Sequence, residues 1–151
     1  MPTREGLKLM NRWKYFSENF RSQLIATYKT EERTSGQKEF EFDDDFGSED
    51  SYGFGLDFEQ IDIIAKAGIL SKERLDRSLG IRSIFSKTTV DSYFGNSIYT
   101  GEQITGRINV LFDQKFSEYS DHKMTVGAQY LYDDYREVYA DSSFSRIERV
   151  P

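Results

Sequence analysis

The chain has 151 residues, enough for one domain, with 30% charged residues, no Cys and a formal net charge of −6. Disulfides are therefore excluded, a nucleic-acid backbone partner is disfavoured because phosphate contact needs a basic face, and no run of about eighteen apolar residues offers a transmembrane helix. Aromatic residues are the outlying class: 12 Phe, 10 Tyr and 1 Trp make 15% of the chain, and these types favour strands and interfaces where a ring sits half in an apolar phase.

In chain order, the opening "MPTREGLKLM" has no apolar core of a secretory signal, so any export signal is expected outside this chain. The first extended segment, Leu7 to Phe16, sets Leu7, Leu9, Trp13 and Tyr15 on one parity and Lys8, Arg12 and Lys14 on the other. After the turn "SEN", a second segment from Phe20 to Arg33 opposes Phe20, Leu24, Ala26 and Tyr28 to Arg21, Gln23, Thr27 and Lys29. Period-two alternation of this kind marks a strand with one apolar and one polar face.

A long polar loop is expected from about Thr34 to Ser51. It carries Phe40, Asp43, Asp44, Asp45, Glu49 and Asp50. The third segment changes parity, from Tyr52, Phe54, Leu56 and Phe58 to Ile61, Ile63, Ala65 and Ala67, and a β-bulge near Glu59 to Asp62 would produce that switch. "SKERLDRS" is the next turn. A fourth strand runs from Leu79 to Tyr93 with Leu79, Ile81 and Phe85 in phase, and a loop is expected around "FGNSIYTG". The fifth, Gln103 to Phe116, turns Ile104, Ile108, Val110 and Phe112 away from Gln103, Arg107, Asn109 and Asp113. After "SEYSD", the stretch "TVGAQYLYDDYREVY" alternates Val126, Ala128, Tyr130 and Tyr132 against Thr125, Gly127, Gln129 and Asp133.

The expected fold is all-β, an antiparallel up-and-down meander of about six strands. The segments are long beside the usual globular strand of about 5 or 6 residues. Short turns are expected at one end and longer loops at the other, the pattern of a transmembrane barrel. Leu24, Ala26, Ile108, Val110, Val126 and Ala128 would then face lipid. Trp13, Tyr15, Phe20, Tyr28, Phe112, Tyr130 and Tyr132 would form aromatic girdles at the membrane surfaces. Asn11 and Ser22 fall on the same face.

"NRWKY" at 11–15, "GQ" at 36–37, "DSYFGN" at 91–96 and "VGAQYLYDDYRE" at 126–137 resemble the early barrel strands of TonB-dependent outer-membrane receptors, especially the Bacteroidetes type, and "RIERVP" at 146–151 is similar to the lead-in to that family's next strand. The resemblance runs from about residue 7 to 151. It implies a bacterial outer-membrane barrel of about 22 strands, closed by a plug domain and coupled to the TonB system, that imports a small-molecule or oligomeric nutrient such as a vitamin, chelated iron or a glycan. Plug, TonB-binding segment and most strands are absent from this chain, which reads as a piece of such a receptor.

For chemistry the sequence offers little. The acidic run at 43–50 lacks the regular spacing of a calcium loop and reads as a solvated external loop. His122 is the single histidine, placed in a turn without partner ligands or a triad. Asp133 and Asp134 are adjacent on a strand, so they point to opposite faces and cannot cooperate on one substrate. "GFG" at 53–55 precedes no helix and is no phosphate loop. No enzyme, cofactor or metal is expected. The residues expected to face the lumen, toward plug or ligand, are Arg82, Arg107, Asn109 and Gln129. The alternative is a soluble β-sandwich or small β-barrel, a ligand- or carbohydrate-binding module, whose apolar parity faces a core.

Overall fold

Alternation with a period of two is satisfied by strands that share a ladder, and the ladder here is a single sheet. The computed structural model describes residues 2–36, 52–71, 77–95, 97–116, 122–141 and 144–150. Six long strands, β1 (Thr3–Phe16), β2 (Phe20–Gly36), β3 (Gly53–Ser71), β4 (Arg77–Phe94), β5 (Ser97–Lys115) and β6 (Lys123–Asp141), are followed by a short β7 (Phe144–Val150). Their order in the sheet is their order in the chain, and every neighbouring pair is antiparallel, so the fold is an up-and-down meander.

The strands are longer than the apolar alternation alone marks. β1 begins at Thr3, β2 continues to Gly36, and β5 begins at Ser97, inside the stretch expected to be a loop. Cross-strand polar pairs hold these extensions: Thr3 and Thr34 hydroxyls share a hydrogen bond, and Lys87 Nζ lies 2.8 Å from Glu102 Oε2. The connection between Phe94 and Ser97 turns at Gly95, whose φ of 56° is the left-handed region that glycine enters without strain, and Gly95 N–H donates to Gly53 O at 2.9 Å. The expected alternation of short and long connections is therefore not kept, because the β4–β5 connection at the long-loop end is as tight as a hairpin turn.

The expected β-bulge near Glu59 to Asp62 is absent. β3 pairs without a register shift from Phe20↔Ile69 to Gly36↔Gly53 on one side and from Phe54↔Phe94 to Ser71↔Arg77 on the other. Phe54, Leu56 and Phe58 lie on the opposite face of a regular strand from Ile61, Ile63, Ala65 and Ala67; the apolar surface changes face while the backbone keeps its phase. A register shift does occur between β6 and β7, at Tyr139/Asp141.

One layer of sheet makes no core. Among the described residues no hydrophobic side chain is buried, and Leu9, Ile63, Ile81, Ile108 and Val126 are all exposed. The accessible surface is 11757 Å², against roughly 7,900 Å² expected for a folded monomer of this mass.

Candidate functional site: two faces of one sheet

Residues directly opposite in an antiparallel ladder share a face. The register therefore assembles the apolar parities of six strands into one surface. One row across it reads Asn11, Ala26, Ile63, Phe85, Gly106, Tyr132. On this face the apolar stretches cover 7–15, 20–28, 61–69, 104–112 and 124–132, with a shorter one at 79–85 in β4. Each of the five is about nine residues long, the length with which a tilted strand crosses a bilayer. Within them no side chain on this face is charged. Beyond their upper ends charges begin at once, with Glu32, Asp57, Glu59, Lys87, Asp91, Glu102 and Asp134 on the same parity.

Tyr15, Phe20 and Phe112 occupy the ends of their stretches nearest the short turns, and Tyr28, Phe85 and Tyr132 the opposite ends. Trp13 and Tyr130 sit one position further in than a girdle at the very edge requires, and Asn11 is the centre of the stretch on β1. The band also runs obliquely. The row through Ala128, the centre of the β6 stretch, passes Val110, Ile81, Ala67 and Ser22 and reaches β1 at Tyr15, four positions from Asn11. That offset is about 13 Å along the strand over about 24 Å across the sheet, a slope of roughly 30°.

The other, more polar face carries positive charge in its lower half, interleaved with apolar residues that include Ile25, Ile64, Ile84, Leu111 and Leu131. One row reads Lys14, Gln23, Lys66, Arg82, Asn109, Gln129; the rows beside it add Arg12, Arg21 and Arg107. Every polar side chain in these three rows can donate a hydrogen bond, and none is a carboxylate. With the Gln23 amide oriented so that its oxygen faces Arg12, Arg12 Nε and Nη2 donate to that oxygen at 2.8 and 3.1 Å. Lys14, Arg21, Lys66, Arg82 and Arg107 make no ion pair with any described residue. Lys66 and Arg82 are direct cross-strand partners, and Arg107 is diagonal to Arg82. With Gly80, Gly127 and Gln129 they line a trough of about 540 Å³. A Cβ at Gly80 would meet only Leu111 O, 4.0 Å away, whereas one at Gly127 would meet Leu111 Cδ2 at 2.7 Å, so the floor is open at Gly80 and covered by the Leu111 side chain at Gly127.

The described carboxylates of this face are committed elsewhere. Asp62 accepts from Gln60 and Ser86, Asp113 from Ser78 and Thr125 with Lys123 at 2.9 Å, Asp133 from Gln103 and Thr105, and Glu137 from Tyr99 and Tyr135. Glu31, at the upper end and outside the apolar stretch of β2, is only 5% exposed. It sits among Arg33, Arg4 at 2.9 Å and Lys29 at 3.2 Å, and Lys29 also lies 4.6 Å over the Phe58 ring. Hydrogen bonds from Arg33, then from Lys29 and Arg4, outweigh its desolvation and hold its carboxyl well below the usual carboxylate range, at about 2.

Of the residues singled out in the sequence, Arg82, Arg107, Asn109 and Gln129 come together in this trough, while Leu24, Ala26, Ile108, Val110, Val126 and Ala128 share the opposite face. Phe40, Asp43, Asp44, Asp45, Glu49 and Asp50 lie outside the described residues. Asp133 and Asp134 do diverge: Asp133 joins Gln103 and Thr105, and Asp134 pairs with Arg136 at 3.0 Å on the other side. His122 is exposed just before β6, and no group of three His, Cys, Asp or Glu that could hold a metal occurs among the described residues. Lys66 was not singled out in the sequence; its place between Ala65 and Ala67, on the parity opposite to theirs, was the available signal. Comparison of the chain with protein-family models gives no match, and comparison with curated proteins gives none either.

Proposed function

We propose that the chain forms part of the barrel wall of a TonB-dependent outer-membrane receptor, with the apolar face toward lipid, the cationic face toward the lumen, and import of a scarce nutrient as the function of the whole receptor. The observation that carries the membrane reading is the oblique, charge-free band of stretches each about nine residues long. Strands in such barrels tilt by about 35–45°, so a lipid-facing band must climb from strand to strand when plotted on the ladder, and the observed slope of roughly 30° is close to that. The receptor family itself rests on the resemblance in "NRWKY", "DSYFGN" and "VGAQYLYDDYRE". The surface excess over a compact monomer and the lack of buried hydrophobic residues agree with a wall whose apolar side is covered by another medium. A soluble sandwich needs a second packed layer, and the described residues form one.

The single Trp tests this reading. Trp13 lies on the apolar face, and Lys14 beside it lies on the other. In lipid vesicles, Trp13 fluorescence should be blue-shifted and quenched by acyl-chain-brominated lipid, whereas the double variant Trp13→Phe, Lys14→Trp should emit as a water-exposed indole without quenching. Equal quenching at both positions, or none at Trp13, overturns the assignment of faces.

A further inference from the structure

The geometry points to an oxyanion site in the trough of the polar face, where Lys66, Arg82 and Arg107 take a small solute carrying several phosphate or carboxylate oxygens. Like charges placed directly opposite on a ladder destabilise it, and Lys66↔Arg82 is such a pair. Among the side chains described, Glu31, Asp62, Asp113, Asp133 and Glu137 are the carboxylates of this face, and each has its own donors away from the pair. An external anion resolves the repulsion. The two guanidinium forks suit bidentate binding of phosphate or carboxylate oxygens, with the lysine as a point charge between strands. Asn109 and Gln129 add neutral donors at one side.

The charge is densest at the cross-strand pair, with Arg107 diagonal to Arg82 and Arg21 diagonal to Lys66, and it gives way to carboxamides toward β6. The trough, about 540 Å³, lies within the size range of small-ligand sites, and its floor is open at Gly80, beside Arg82. The inference is independent of what covers the apolar face, because both the pair and its missing counter-charge belong to the polar one.

The test is equilibrium dialysis of the full chain, in whichever detergent or buffer leaves it monomeric, against inorganic pyrophosphate and, separately, citrate and a glutamate decapeptide. At least one of the two small anions should bind saturably at one site. Arg82→Gln should weaken that binding by about tenfold, the worth of one charge-assisted hydrogen bond. Arg107→Lys, which keeps charge but loses the fork, should weaken it less while leaving the β circular dichroism spectrum unchanged. Lys8→Gln, on the same face beside the Glu31 cluster, should leave binding within about twofold. Absence of saturable binding of both small anions, equal losses in Lys8→Gln and Arg82→Gln, or a decapeptide bound more tightly than either small anion would each overturn the proposal, the last in favour of a protein partner.

Discussion

The two ends of the polar face handle positive charge in opposite ways. At the upper end Arg4↔Arg33 and Lys8↔Lys29 are like-charge partners across β1 and β2, yet Glu31 sits among them and contacts Arg4, Lys29 and Arg33. Lower on the sheet, Lys66↔Arg82 is the same kind of pair with no carboxylate beside it. The chain therefore contains its own solution to cross-strand repulsion and uses it where the face is self-contained. A net charge of −6 hides this, because it counts in Glu32, Asp57, Glu59, Asp91, Glu102 and Asp134, which lie on the other parity above the apolar band. Charge sorted by face says more about partners than charge summed over the sequence.

The largest effect comes from moving a cation off the polar face altogether. Ile108 is the central position of the β5 stretch on the apolar face, and Gln129 lies in the trough. On the proposed reading, Ile108→Arg should destabilise the lipid-inserted protein by about 2–4 kcal/mol, Val126→Arg by less because the register sets it near the end of its stretch, and Gln129→Arg by close to nothing. Unfolding titrations in vesicles measure the series. Equal costs at Ile108 and Gln129 would remove the distinction between the faces.

Next in size is the loss of the internal counter-ion. Glu31→Gln should leave Arg4, Lys29 and Arg33 mutually repelling and lower the unfolding midpoint at neutral pH, by an amount held down by the exposure of those partners. The folded-state carboxyl titrates at about 2, below its ordinary value of 4.5. Its stabilisation is thus complete above the ordinary value and is lost as pH falls from there through about 2. The gap between parent and variant should be full at pH 7, begin to close below about pH 4.5 and vanish only below about pH 2. A gap that persists unchanged into acid would mean that Glu31 acts by packing alone.

The contrast between these regions also marks what could be read from the chain beforehand. Val126, Ala128, Tyr130 and Tyr132 announced their strand and its apolar side because alternation is a local property, and the same held for the stretches around Leu24 and Ile108. Where neither face of a strand is consistently apolar, as from Glu31 to Gly36 or from Ser97 to Glu102, alternation carries no signal, and the backbone ladder continues regardless. Phe54, Leu56 and Phe58 misled for a related reason. A change of apolar face gives the same pattern as a change of backbone phase, and only the register with Val90 and Ser92 separates the two. The trough was half legible: Arg82, Arg107, Asn109 and Gln129 have the right parity, but their meeting with Lys66 depends on pairings between strands, which one strand's sequence does not contain.

The smallest expected effect is the most discriminating between the two ends. Removing one member of an unscreened like-charge cross-strand pair should relieve repulsion of about 0.2–1 kcal/mol, so Lys66→Gln should raise the unfolding midpoint slightly when no anion is present. Lys8→Gln serves as the comparison, since its partner Lys29 is already held by Glu31 at 3.2 Å and its removal should change stability by less. Adding pyrophosphate should reverse the order at Lys66. Ligand that binds the folded state stabilises it in proportion to the logarithm of its occupancy ratio, and the parent chain, with all three cations of the trough, should gain more than Lys66→Gln, while Lys8→Gln should gain as much as the parent. Thermal unfolding followed by circular dichroism, with and without the anion, reads all four differences. A Lys66→Gln chain that is less stable than the parent without anion would show that the lysine is neutralised within the fold, and the contrast between the two ends of the polar face would disappear.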